Sequence, residues 1–121
     1  MKAQIDSPPR RSEIYLIQLS PAEGSEQAGT RPVVVVSRNA INHYSPVIVI
    51  CPLTDASHVA TPYPSDVQVV APEGGLAKDS VVLTGQVQAI AKSRLLKHLG
   101  ELRPETMNQV EDALKITLNL A

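Results

Sequence analysis

Two apolar runs, PVVVV at 32–36 and VIVICPL at 47–53, limit what this chain can fold into more than any other feature. Both are rich in β-branched residues, which fit a pleated surface better than a helix, and both have the length of a strand. Neither alternates apolar with polar, so each reads as a strand covered on both faces. Between them, NAINHYSP at 39–46 offers a turn or a single helical turn, with Asn39 as its cap and Pro46 closing it. Two doubly covered strands need further strands beside them and a layer on top.

The rest of the chain supplies both. MKAQIDSPPRRS, residues 1–12, reads as a tail, because Pro8 and Pro9 oppose helix and ladder alike. EIYLIQL at 13–19 is a first strand, followed by the long loop SPAEGSEQAGT, whose Gly24 and Gly29 are free to take positive φ. Pro32 is then tolerable only at the start of its strand. Beyond Thr54 come a loop, DASHVATPYP, a strand with one wet face, SDVQVVA, and a turn on Gly74 and Gly75. SVVLTGQVQAIA gives two short strands or one strand broken at Gly85. The period then changes. KSRLLKHLGEL suggests a short helix stopping near Gly100, and PETMNQVEDALKITLNL sets Met107, Val110, Leu114 and Leu118 on one helical face, with Pro104 and Glu105 in the first turn. Strands first and helices last imply a mainly β domain over 13–121, a small barrel or rolled sheet capped by a C-terminal helix.

Composition removes several functions. The net charge of −1 does not suit a generic polyanion binder, and with no Trp, no Phe and three Tyr there is little aromatic surface for stacking bases. Cys51 is the lone cysteine and lies inside an apolar run, so it reads as a buried, inert hydrophobe and no internal disulfide can form. His43, His58 and His98 are too scattered for a metal site, and no cofactor is implied. No apolar stretch approaches the roughly 20 residues of a membrane span, and nothing resembles a signal peptide. A cytoplasmic protein is expected.

The chemistry concentrates in GSEQAGTRPVVVV, residues 24–36, where Ser25, Glu26, Gln27 and Arg31 precede a buried strand that would hold them in place. This segment, with EIYLIQLSP before it and PLT, GGLAKDSVVL, QVQAIAKSRL and ALKITL after it, resembles in order and spacing the MazF/PemK/Kid family of toxin ribonucleases over residues 11–120. The pattern G-S-E-Q-x-G-x-R-P-V ahead of an apolar strand, with P-L-T some twenty residues on, is its most specific part. The resemblance implies a compact SH3-like β-barrel of the CcdB/PemK/MazF type that forms a homodimer. It also implies metal-independent cutting of single-stranded RNA at preferred sequences, and neutralisation by a cognate antitoxin whose acidic, flexible C-terminal segment fills the RNA groove. Arg31 matches the family's catalytic arginine, Thr54 its catalytic threonine or serine, and Glu26 a glutamate needed in some members. Ser25, Gln27 and Gln86 match positions near RNA, and Arg38 joins them as an RNA-binding candidate. Gly85, Gln88 and Ala91 depart from the acid, Arg and Asp frequent in that segment, which bears on base preference.

Those residues suit the reaction. RNA carries its own nucleophile, the 2′-hydroxyl, so cleavage needs an acceptor for that proton, a donor for the leaving 5′-oxygen and charge stabilisation at phosphorus. A guanidinium offers a planar fork to two phosphoryl oxygens, and a threonine hydroxyl adds one more donor. Glu26 is the chemically preferred acceptor, with His43 or His58 as rivals, while the resemblance implies an acid or base role for the arginine itself, as assigned in relatives. The expected products are a 2′,3′-cyclic phosphate and a 5′-hydroxyl. Two other readings use the same barrel: a gyrase-binding toxin without chemistry, and an inert antitoxin-binding module.

Overall fold

The fold was analysed in a computed structural model of the chain, which describes residues 7–18 and 29–120. Ser25, Glu26, Gln27 and Gly24 lie outside the described residues. Seven strands, β1 (Glu13–Gln18), β2 (Thr30–Val35), β3 (Val47–Asp55), β4 (Asp66–Val69), β5 (Ser80–Leu83), β6 (Gln88–Ala91) and β7 (Leu95–Glu101), accompany two helices, α1 (Asn39–Tyr44) and α2 (Pro104–Leu118). All pairings are antiparallel, in the order β4-β5-β3-β2-β1-β7, with β6 also on β3. β4 and β7 do not pair with each other, so the expected barrel is a strongly rolled sheet whose ladder stays open among the described residues.

β3 makes the roll possible. Along one side its first half, Val47 to Ile50, pairs with β6, and its last residues, Leu53 to Asp55, pair with β5. Pro52 falls between the two ladders on that side, where a residue without an N–H breaks no pairing. On the other side of the chain's break, β5 and β6 are one strand interrupted by a single turn, Thr84–Gln86, centred on Gly85 as expected. Pro32 is the third residue of β2, not its first; it pairs with Leu16 of β1, while the ladder to β3 begins only at Val33.

Successive valines then go to opposite faces. Val33 and Val35 join Tyr15, Ile17, Ile48, Ile50, Ile90 and Leu95 in one core, and Val34 joins Ile14, Cys51, Leu53, Val82 and the α2 residues Met107, Val110 and Ala113 in the other. Both central strands are therefore buried on both sides, as their unbroken apolar composition required. Burial also pushes the Cys51 thiol up to about 12, which keeps it protonated and unreactive at neutral pH.

Five expectations change. In place of the helix expected over 92–102, a single turn at Lys92–Arg94 leads into β7: Leu95 is buried in the sheet core, and the strand satisfies the backbone groups of β1 that would otherwise stand unpaired. On α2 the inner face runs through Thr106, Met107, Val110 and Ala113, whereas Leu118 is half exposed in the last turn. Asn39 is the first helical residue of α1, after Arg38 as cap, and its Oδ1 instead accepts from the Arg11 backbone N–H at 2.7 Å. The last part of the expected tail is therefore tied down; Arg11 also pairs with Glu111 of α2 at 2.7 Å. Gly29 takes no positive φ, unlike Gly74 (69°) and Gly75 (76°). No helix among the described residues is long and apolar enough to cross a membrane.

Glu73 holds the start of α2. One carboxylate oxygen accepts from the Arg103 backbone N–H at 3.0 Å and the other from its guanidinium at 3.2 Å. Burial acts to raise the Glu73 pKa, but hydrogen bonds from Thr106 and Arg103 outweigh it and hold the group below its ordinary value. A depressed carboxylate stabilises the fold above its unfolded pKa and loses that contribution as pH falls through the folded one. Glu73→Ala is therefore expected to lower the unfolding free energy by about 1–3 kcal/mol at pH 7, with the deficit shrinking as the pH falls below about 4. Urea melts of both proteins across that range check it.

Candidate active site

Arg31 and Thr54 are brought together by the β2–β3 neighbourhood. The last residues of β3 run beside the first of β2, and the Arg31 Nε donates to the Leu53 carbonyl at 3.2 Å, one residue from Thr54. That bond fixes the plane of the guanidinium and leaves its terminal nitrogens as donors for a ligand. Both residues line one open cleft of about 590 Å³. A fork of fixed donors and a hydroxyl in one cleft of nucleotide size can hold the oxygens of a phosphodiester.

The cleft collects further groups. Gly85 and Gln86 enter it from the turn between β5 and β6, so the departure Gly85 stands inside the candidate site. His58 comes from the single turn Ala56–His58 that follows β3, and its Nδ1 lies 3.4 Å from the Thr54 Oγ1. Asp55 caps this turn, accepting from the Ser57 backbone N–H at 2.9 Å and its hydroxyl at 2.8 Å. Those two bonds, backbone first, hold the Asp55 carboxyl below its usual pKa, with Lys78 3.6 Å away and His58 adding smaller contributions. Tyr63, Ser65 and Asp66 also line the cleft.

Other candidates are elsewhere. Arg38 is exposed beyond the far end of β2, and the four residue steps from Arg31 to Val35 alone span roughly 13 Å. His43 packs on Tyr44 in α1, with ring centroids 4.4 Å apart, and does not line the cleft. Two further basic side chains are employed separately: Lys92 donates to the Asn42 and His43 carbonyls at the end of α1, and Arg94 donates to the Gln18 carbonyl. Among the described residues no group of His, Cys, Asp and Glu is arranged to hold a metal ion.

Tyr63 and Asp66 were not legible as site residues. DASHVATPYP reads only as a loop, and the sole hint is an aromatic residue among turn formers; Tyr63 is 70% exposed in the cleft wall, where a base could stack on it.

Comparison with known proteins bears on the family of the chain. The model of the PemK-like, MazF-like toxins of type II toxin-antitoxin systems matches residues 10–118. The endoribonuclease MazF of Staphylococcus epidermidis is 40% identical over 111 residues, covering 92% of each chain. Among solved structures, an endoribonuclease from a mycobacterial species superposes with a TM-score of 0.76 at 26% identity, over 97% of both chains. A mycobacterial endoribonuclease in complex with its cognate antitoxin gives 0.76 at 26% identity, over 93% of this chain and 97% of that one. MazF from Deinococcus radiodurans gives 0.75 at 28% identity, over 94% and 99%. With the rolled sheet, the C-terminal helix and the family match spanning nearly all of its length, this chain belongs to the PemK-like, MazF-like toxins of type II toxin-antitoxin systems.

Proposed function

We propose that this protein is a toxin endoribonuclease that cuts single-stranded RNA at preferred sequences without a metal ion, acts as a homodimer in the cytoplasm, and is neutralised by a cognate antitoxin. The observation that carries the reading is the convergence of Arg31, from β2, and Thr54, from β3, on one cleft large enough for a nucleotide. In the mechanism, the 2′-oxygen attacks the adjacent phosphorus while the 5′-oxygen leaves. Arg31 holds two phosphoryl oxygens and stabilises the charge that grows on them. Thr54 donates a third hydrogen bond, and Glu26 accepts the 2′ proton. Because the nucleophile is part of the substrate, no metal-bound water is required. Gln86 at the cleft, with Ser25 and Gln27 in the loop before β2 and Arg38 further along the chain, contributes RNA contacts.

Relatives described as toxin–antitoxin complexes support the antitoxin as partner, and the exposed apolar side chains of Ile41, Tyr44 and Val47 offer a surface for a second copy. Incubating the purified protein with a long single-stranded RNA in EDTA tests the reading. Discrete cuts ending in 2′,3′-cyclic phosphate, with 5′-hydroxyl partners, are expected. Intact RNA with inhibited DNA gyrase would favour the gyrase-binding alternative, and neither activity would favour an inert module.

A further inference from the structure

We infer that His58 is the proton donor to the leaving 5′-oxygen, an inference that rests on the endoribonuclease reading above. Arg31 stays protonated in any protein environment and cannot turn over a proton during the reaction. The cleft must therefore contain another group able to give one up near neutral pH. A carboxylate ordinarily holds no proton there, whereas an imidazole does in part. His58 is the one imidazole that lines the cleft among the described residues.

Its contact with Thr54 sets which ring atom does the work. The Thr54 hydroxyl has a single hydrogen, and holding a phosphoryl oxygen uses it. The 3.4 Å approach to the His58 Nδ1 then has to run the other way, with Nδ1–H donating to the Thr54 oxygen. That leaves Nε2 as the nitrogen that meets substrate. When the ring is charged, Nε2–H passes its proton to the 5′-oxygen as the phosphorus–oxygen bond breaks and the bond to the 2′-oxygen forms; the 2′ proton leaves to the carboxylate acceptor, and water restores both groups afterwards. The ring's position is built into the backbone, because Asp55 caps the turn that carries it through both Ser57 bonds. The charged and titratable groups around it are Asp55 with its partner Lys78 from the end of β3 and the β5 approach, Arg31 from β2, and Tyr63 and Asp66 in the lining of the same cleft.

A leaving-group test separates donation from every other role. His58→Ala and His58→Asn are compared with the native protein on an ordinary RNA and on the same RNA carrying sulfur in place of the bridging 5′-oxygen at the cut site, since a thiolate departs without a proton. The variants are expected to lose about 10²-fold or more in kcat/KM on the oxygen substrate. They should stay within a few-fold of the native protein on the sulfur substrate. Equal losses on both substrates would overturn the inference, because they would mean that His58 acts as the acceptor or merely positions Thr54. Undiminished cutting of the oxygen substrate would overturn it too. A native protein that cuts neither RNA removes the endoribonuclease reading itself, which is a separate result from a native enzyme indifferent to His58.

Discussion

Arg31→Ala is expected to lower kcat/KM on single-stranded RNA by about 10²–10³ while leaving the fold in place. The magnitude follows from removing one preorganised donor array at a transition state that places charge on phosphoryl oxygens. The fold should survive because Arg31 is only partly buried near the start of β2, and losing its one hydrogen bond among the described residues, to the Leu53 carbonyl, costs about 1–3 kcal/mol against a typical total of about 5–15. Arg31→Lys should recover little, since an ammonium cannot present a planar fork and cannot both donate to Leu53 and grip two oxygens. Single-turnover cleavage of a labelled RNA, beside circular dichroism melts of each variant, provides the measurement. Cleavage within a few-fold of native for Arg31→Ala would show that the guanidinium is not at the scissile phosphate.

The largest expected stability effect belongs to a residue remote from the chemistry. Gly75→Ala should cost roughly 2–5 kcal/mol, combining about 1–2 for a side chain in the left-handed region with a further 1–3 for overpacking. Gly75 sits at φ 76°, and a methyl group there would run into the Leu99 carbonyl of β7. Backbone cannot swing aside as a flexible side chain does. Gly100 meets the same turn from the other side, where an added Cβ would stand 2.7 Å from the Gly74 carbonyl carbon. Three glycines thus let the turn before β5 lie directly on β7. Against a typical total of about 5–15 kcal/mol, a loss of this size makes much of the protein unfold on mild heating. Chemical denaturation of Gly75→Ala measures it, and a change below about 1 kcal/mol would mean that the turn and β7 can separate at little cost.

The central strands were legible because their composition leaves no solvent-facing choice: Val33 to Val35 and Ile48 to Leu53 are apolar at every position, and only burial on two faces suits them. The break at Gly85 and the turn on Gly74 and Gly75 were legible for the complementary reason, since glycine marks where the backbone must do what other residues resist. β7 was not. Its leucines and lysines favour a helix locally, and the strand exists only because β1 offers an unpaired edge that a helix could not satisfy. The inner stripe of α2 was misjudged at Leu118 because periodicity gives the spacing of apolar residues but not where the supporting sheet ends.

At the candidate site the division is sharper. From its own residues and their resemblance to a known pattern, the sequence determined the kind of fold, a sheet built on two buried strands under a C-terminal helix, and it named Arg31 and Thr54. Only the tertiary structure decided which other groups share their cleft. It brought in His58, Tyr63, Asp66 and Gln86, and it left Arg38 beyond the far end of β2 and His43 on α1. The physical reason is that strand character is written in neighbouring residues, whereas a cleft is the meeting of chain segments far apart in sequence, set by ladder register, the partner switch along β3 and the caps of short turns.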